Sequence, residues 1–348
     1  MTTSPGGRLA LDVGGANVKL AHSSGIVRCR PFALWRDPGG LAGVLVGLTE
    51  GLPPFGDVLL TTTAELCDCF ETKRAGVLSV LESVTFAFPR HRVAVWGLDA
   101  RFHEVETIRS TPAMAAAANW LALATLAAGL VRAGTGLLID IGSTTTDLIP
   151  LQDGRVVPTG LTDTERLAAC SLVYAGAIRT PVCALATTLP YLGKATGLCA
   201  ELFATTLDVY LILGAIADEP RNLDTADGRP ATVEGARNRL ARMVGADRDS
   251  FTAADALALA RAADEALVLR LVEAGERVFR SVGGRPETIV TSGSGEFLAD
   301  RVAARLEQRG GRCIGLGTLW EEGASTAACA RALIELAEGT GDPWFRGR

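Results

Sequence analysis

Aromatic residues make up only 5% of this 348-residue chain, and histidines number three: His22, His91 and His103. None of the three falls in a motif described below, so a Ser-His-Asp or histidine–metal mechanism has little to stand on, and all three read as surface residues. No block of lysine and arginine occurs and the formal net charge is −5, which excludes a nucleic-acid surface, because phosphate backbones are held by clustered positive charge. Neither a Walker A pattern nor a Rossmann fingerprint with its acidic partner is present. Met1–Gly7 is polar and lacks the charged, apolar and small-residue segments of a signal peptide, so the expected location is the cytoplasm. The longest apolar stretch, Ala115–Val131, is interrupted by Asn119 and falls short of a membrane span. It reads as a buried helix. The eight cysteines are dispersed, and a chain this long folds without disulfide staples. Cys67 and Cys69 form a C-x-C with no second pair and no neighbouring histidine, which favours helix and core thiols over zinc.

What is present is an ordinary globular composition, 48% hydrophobic, long enough for two lobes. Arg8–Val13 is apolar and ends in Gly14-Gly15-Ala16-Asn17, after which Val18–His22 resumes a strand and a third begins at Ile26. Gly136–Ile141, the turn from Gly142 and Asp147–Leu151 repeat that meander, with Arg155–Pro158 as its third strand. Asp12-x-Gly14-Gly15 and Asp140-x-Gly142-Ser143 lie 128 residues apart, and Lys19 and Asp147 keep the same offset. Between the meanders come a strand at Val58–Thr63, a helix-like stretch at Ala64–Arg74 and a strand at Arg92–Gly97. After them come helical spacings at Val233–Gly245, Ala253–Val282 and Ala324–Ala337. Thr288–Thr291 is a strand that leads through Ser292-Gly293-Ser294-Gly295 into a helix over Glu296–Arg309. Alternating strands and helices give an α/β class. Paired glycine hairpins within it predict the actin-like ATPase (ASKHA; actin, Hsp70, sugar kinase) fold: two lobes, 1–134 and 135–348, on a duplicated ribonuclease-H-like core with a cleft between them.

The chemistry expected of these turns is the grip of a magnesium-bound polyphosphate. Gly14, Gly15 and Asn17 bring backbone N–H groups onto phosphate oxygens, and Lys19 neutralises charge. Taken alone, that constellation is equally a tight hairpin whose Asp12 caps the turn. Gly142, Ser143, Thr144 and Thr145 add hydroxyls to the same geometry, and Asp12, Asp140 and Asp147 are the expected magnesium ligands. Ser292, Gly293 and Gly295 open a helix whose N-terminus favours an anion. Arg179 and, in the polar loop Asp224–Pro230, Asp227 and Arg229 are candidate substrate contacts, with solvated loop charges as the plain alternative.

LALDVGGANVKLA, LLTTTAELCDCFETKRAGV, AAANWLALA, LLIDIGSTTTDLIPLQDGRV, TDTERL, VYAGAIRTPV, NLDTADGRPAT and RNRLARMVGAD, in that order, resemble the hydantoinase/oxoprolinase-related group tied to tetrahydromethanopterin-linked one-carbon transfer. The resemblance runs from about Leu9 to Gly295. It implies a magnesium-dependent transferase of methanofuran- or methylofuran-type cofactor synthesis, which condenses aminomethylfuran-methyl diphosphate with the phenol oxygen of a (glutamyl)tyramine or tyrosine acceptor and releases diphosphate. Asp12 and Lys19 would act on the leaving group, and Asp147 or an unassigned carboxylate would take the phenol proton. Both substrates are small molecules; no nucleic acid or membrane is involved, and a homo-oligomer is compatible with the sequence. Ala16-Asn17-Val18-Lys19 stands where hydantoinase-like ATPases commonly place threonine and a closing aspartate, which speaks against hydantoin hydrolysis. The rivals are an ATP-dependent kinase or hydantoinase-like ATPase on the same fold, and a non-catalytic ATP-sensing partner of a one-carbon-transfer complex.

Overall fold

The computed structural model describes residues 6–307, 311–320 and 324–339. Met1–Pro5, part of the polar leader, and Arg309, the expected end of a helix, lie outside the described residues. The chain forms two compact units, the first from Met1–Leu138, Ile149–Arg166 and Ile314–Arg348, the second from Ile139–Leu148 and Leu167–Cys313.

The first unit begins with β1 (Gly7–Val13), β2 (Asn17–His22) and β3 (Val27–Pro31), an antiparallel meander, followed by α1 (Leu41–Thr49), β4 (Phe55–Thr62), α2 (Lys73–Ala87), β5 (Arg92–Trp96), β6 (Phe102–Glu104), α3 (Val105–Ser110) and α4 (Asn119–Ala128). The sheet order is β3-β2-β1-β4-β5-β6, with β4 parallel to both β1 and β5. Side chains alternate along β1: Leu9, Leu11 and Val13 join Leu41, Leu45, Val77 and Leu81 in one core, so Ala10 and Asp12 face the other side of the sheet. Asp12 stands opposite Lys19 on β2 and Thr61 on β4.

Two expectations need correction here. Of the expected helix Ala64–Arg74 only Lys73 and Arg74 are helical; before them the Thr62 hydroxyl accepts from the Ala64 N–H (3.1 Å) and successive turns close at Ala64–Cys67 and Cys67–Phe70. Helix α2 starts only where Thr72 supplies a cap, its hydroxyl accepting from the Ala75 N–H. Cys67 and Cys69 therefore sit in turns rather than on a helix; all eight cysteines are free thiols. Nor is Ala115–Val131 one helix: Ala116 bridges Thr62 as an extended residue and Ala117 takes φ +49°. Helical winding resumes at Asn119, with Trp120 fully covered. His22, expected at the surface, is buried, and that burial lowers its pKa.

β7 (Thr135–Ile141) and β8 (Thr146–Gln152) form the second hairpin, and β9 (Arg155–Val156) pairs with β8. After α5 (Asp163–Ala168), the second unit contributes β10 (Leu172–Val173), β11 (Thr188–Tyr191), β12 (Lys194–Gly197), α6 (Thr206–Ile212), α7 (Val233–Met243), α8 (Ala253–Val282), β13 (Thr288–Ser292) and α9 (Glu296–Leu306). Its sheet runs β10-β8-β7-β13, with β14 (Arg312–Gly315) beyond β13. In both sheets a glycine hairpin is flanked on its first strand by a later strand, which is the repeated plan the sequence offset implied. Helix α8 spans Ala253–Val282 as its periodicity predicts, opened by a capping box between Thr252 and Asp255.

α10 (Leu316–Leu319) and α11 (Ala328–Gly339) complete the order. The expected division at 134/135 differs from the structure at this point. Helix α11 packs on β1, β2, β4 and α4, all of the first unit, because Ala330, Leu333, Ile334 and Ala337 bury the apolar stripe of an amphipathic helix against that sheet. Among the described residues no helix is long and apolar enough to cross a membrane.

Candidate functional site

The first hairpin turns tightly, the Gly14 N–H donating to the Asn17 carbonyl at 3.0 Å. The carbonyls of Gly15 and Ala16 accept from the N–H groups of Leu34 and Phe32 (3.0 and 2.9 Å). A planar trans peptide sets its carbonyl and N–H in opposite directions, so the amides of Ala16 and Asn17 are turned away from that segment. Lys19 Nζ lies 3.7 Å from Asp12 Oδ2, the carboxylate buried and the lysine partly exposed. Of the predicted residues, Asp12, Gly14, Gly15, Asn17 and Lys19 thus form one constellation.

The second unit brings two predicted turns together. In the β7–β8 turn the Gly142 carbonyl accepts from the Ala177 N–H (2.9 Å), and the Ser143 carbonyl from the N–H groups of Ile178 (3.0 Å) and Arg179 (2.9 Å). The amides of Ser143 and Thr144 consequently face the other way. A side chain on Gly176 would press within 2.7 Å of the Ser143–Thr144 peptide, so glycine there lets this support lie flat. The Gly295 N–H donates to the Ile141 carbonyl at 2.8 Å, which ties the turn from Ser292 to the end of β7. Gly293 has φ +100°, and a Cβ there would stand 2.7 Å from Asp140 Oδ1. Only glycine combines that backbone with so close an approach. The Ser292 hydroxyl is fully buried and makes no hydrogen bond within the protein, an arrangement typical of groups that await a ligand or water. Asp147 lies on β8, buried, in register with Leu172.

Arg179, beside Ser143, is paired with Asp224 at 3.5 Å. Asp227 is held from inside the unit, by Arg239 at 3.0 Å and Arg242 at 3.3 Å. Its partial burial is outweighed by hydrogen bonds from the Arg229 N–H and these guanidinium groups, which keep its carboxyl below the usual value. Arg239 is itself fully buried and also donates to Asp208 Oδ1 at 2.8 Å, while Asp208 Oδ2 accepts from the Thr205 N–H to close the cap of α6. The Asp224–Pro230 loop is therefore anchored to α6 and α7. Arg229 is exposed at its tip.

Sequence reasoning passed over Glu65. It sits in the irregular connection after β4 and is 2% exposed. Burial pushes its carboxyl up to about 7, helped by the nearby Asp163 and opposed by Lys73 and the Ala117 backbone. Lys73 and Asp163 form an ion pair at 3.0 Å, and Arg166, three helix positions further along α5, stacks 4.2 Å over Trp120. The signal was present as three sequence blocks, TAELCDCFETK, AAANW and TDTERL, but nothing in the order of residues shows that they meet.

The sign of the Glu65 effect is fixed by its direction. A carboxyl raised from 4.5 in the unfolded chain to about 7 in the fold favours folding fully below about pH 4.5 and loses that contribution as pH rises through 7, by about 3 kcal/mol. Glu65→Gln removes the titration, so its melting temperature should rise relative to the unsubstituted protein between pH 5 and pH 8. Parallel thermal melts across that range check it; a constant difference between the two proteins would show that Glu65 ionises normally.

Magnesium prefers octahedral oxygen ligands, keeps several waters and is held through one or two carboxylates together with substrate phosphates. Among the described residues no three His, Cys, Asp or Glu side chains gather into a group that could hold a metal, so Asp12, Asp140 and Asp147 do not form a ready three-carboxylate site. In the second unit Asp140, whose Oδ1 borders the Ser292–Gly295 turn at Gly293, is the carboxylate that would hold magnesium together with substrate phosphates.

Repeated hairpins on two α/β units define the actin-like ATPase fold. Acetone carboxylase in its nucleotide-free form shares it at a TM-score of 0.56 and 10% identity, over 94% of this chain and 70% of that one. The hydantoinase/oxoprolinase family profile matches residues 58–334, and the chain belongs to that family. A relative from Methanocaldococcus jannaschii is 36% identical over 244 residues, 69% of this chain and 72% of its own length. Another, from Methanococcus vannielii, is 32% identical over 170 residues, 49% of this chain and 75% of its own. Both carry the name (4-{4-[2-(γ-L-glutamylamino)ethyl]phenoxymethyl}furan-2-yl)methanamine synthase.

Proposed function

We propose that this chain is a transferase forming an aryl–alkyl ether, joining an aminomethylfuran-methyl diphosphate to the phenol oxygen of a tyramine-type acceptor and releasing diphosphate. The reading rests on one observation above all, the 36% identity to the Methanocaldococcus jannaschii synthase over 69% of the chain. The product in that relative's name contains a phenoxymethyl link to a furan, and an activated furan methylene is the simplest electrophile for making it.

In this reading each unit supplies phosphate contacts of its own, the turn Gly14–Asn17 in the first and the turns Gly142–Thr145 and Ser292–Gly295 in the second. Asp12 holds Lys19 extended toward the leaving group, whose developing negative charge the lysine offsets. Asp140 is the residue proposed to hold magnesium, which when bound would supply further charge neutralisation on the diphosphate. Arg229 is proposed to meet anionic parts of the substrates, as is Arg179 in exchange for its pairing with Asp224, and Asp227 serves mainly to fix its loop. The furan ring's electron density supports positive charge at the methylene carbon, so no covalent bond to the protein is needed. The protein acts in the cytoplasm on small molecules, without nucleic acid.

Incubating purified protein with the furan diphosphate, γ-glutamyltyramine and magnesium should give the ether, detected by mass spectrometry. ATP consumption without ether would instead mark an ATP-dependent kinase or hydrolase.

A further inference from the structure

β1 and β4 are parallel neighbours, so the connections that follow them leave the same carboxyl edge of the sheet, where ligands of open α/β sheets bind. The two connections touch. The Thr63 N–H donates to the Val13 carbonyl at 3.0 Å, and a Cβ on Gly15 would meet Cys67 Sγ at 2.7 Å. Gly14, Gly15, Thr63 and Cys67 are half-buried, which leaves this edge approachable. Between them and α2, Glu65 is buried with its Oε2 accepting no hydrogen bond. A carboxyl oxygen left in that state costs stability that a leucine would not. Ala117, whose backbone faces this carboxyl, holds the left-handed φ of +49°, strain of the sort that collects at functional sites.

We propose that Glu65 is the general base of the transfer, accepting the acceptor's phenolic proton on Oε2. The assignment rests on the transferase reading above and replaces Asp147 in that role. As the phenol O–H bond breaks, its proton passes to Oε2 and the oxygen's electron pair forms the bond to the furan methylene carbon. The pair of the breaking carbon–oxygen bond departs with diphosphate, and Glu65 returns its proton to water. The charged groups facing Glu65 are Asp163 of α5 and Lys73 of α2, with the weakly acidic Cys67 thiol on its own segment. Lys73 is occupied by Asp163 at 3.0 Å, so the two nearly cancel. The carboxyl is then tuned chiefly by its burial, to about 7, where a base is half ionised at neutral pH and strong enough to assist a phenol.

The test compares the wild-type chain, Glu65→Gln and Glu65→Asp with γ-glutamyltyramine and with ring-fluorinated acceptors whose phenols are more acidic. Glu65→Gln should lower kcat about 100- to 10,000-fold, with the KM for the furan diphosphate within about threefold, and should lose the fall in rate below neutral pH. Glu65→Asp should keep that limb, and fluorination should rescue Glu65→Gln far more than the wild type. In the wild type the position of the limb should not move with the acidity of the phenol. A limb that tracks the phenol, undiminished turnover by Glu65→Gln, or an equal loss with every acceptor overturns the assignment. Should Glu65→Gln not fold, the wild-type series decides alone. Absence of ether from the wild type overturns the transferase reading instead.

Discussion

Gly293→Ala is expected to weaken binding of magnesium diphosphate roughly 10- to 100-fold. A side chain at φ +100° carries about 1–3 kcal/mol of backbone strain, and each 1.4 kcal/mol or so is a factor of ten. Here the new Cβ also meets the Ile141 carbonyl and the Asp140 carboxylate, so relief requires moving a proposed metal ligand or the end of β7. Either movement disturbs the donors around Ser292. Isothermal titration with magnesium diphosphate reads the effect, with Thr196→Ala on the separate β11–β12 hairpin as a control that should bind normally. Unaltered affinity in Gly293→Ala would remove this turn from the site.

Arg239→Ala is the second large effect, about 3–5 kcal/mol of stability, because it leaves the Asp208 carboxylate buried without its cation. That is a sizeable share of the ~5–15 kcal/mol that usually holds a domain together. Distance alone would not have singled it out. Arg305 and Glu265 pair at 2.7 Å, shorter than Arg239 and Asp208, yet their side chains are 40% and 46% exposed and water screens them. Urea unfolding should show the loss for Arg239→Ala. Removing both charges in Arg239→Met with Asp208→Asn should restore much of it, since the cost lies in the stranded charge rather than in the missing pair. Anchorage of the Asp224–Pro230 loop would weaken in both variants, because Asp227 also leans on Arg239.

The parts legible in the sequence are those whose signals are local. Gly14-Gly15 and Gly142 mark hairpins by type and spacing, although none of them takes a positive φ and close packing requires glycine only where a Cβ on Gly15 would meet Cys67 Sγ. Strand alternation and the 128-residue offset then reveal that the plan occurs twice, and the period of Ala253–Val282 runs unbroken into a helix of that span. Misreadings arose where a neighbour distant in sequence decides the outcome. Ala64–Arg74 has helical composition, yet Thr62 and the packing of Gly76 against the Glu65 backbone hold most of it in turns. Ala115–Val131 reads as one apolar helix, but Thr62 draws Ala116 into an extended bridge and splits it. Of the candidate site, the glycines, hydroxyls and aspartates could be named from their types and spacing. Glu65 could not: its burial and its unpaired Oε2 are set by segments distant in sequence, and neither is written in its neighbours along the chain. Arg239 looked like one more charge on an amphipathic helix until Asp208 and Asp227 were found on either side of it.

The return of α11 to the sheet of β1, β2 and β4 sets an order on synthesis. The second unit is enclosed in sequence between portions of the first, so it can close its core before α11 has been made. Until then β1, β2 and β4 keep one apolar face uncovered. Contacts between segments so far apart in sequence form slowly, and the first unit is therefore the later of the two to complete its core.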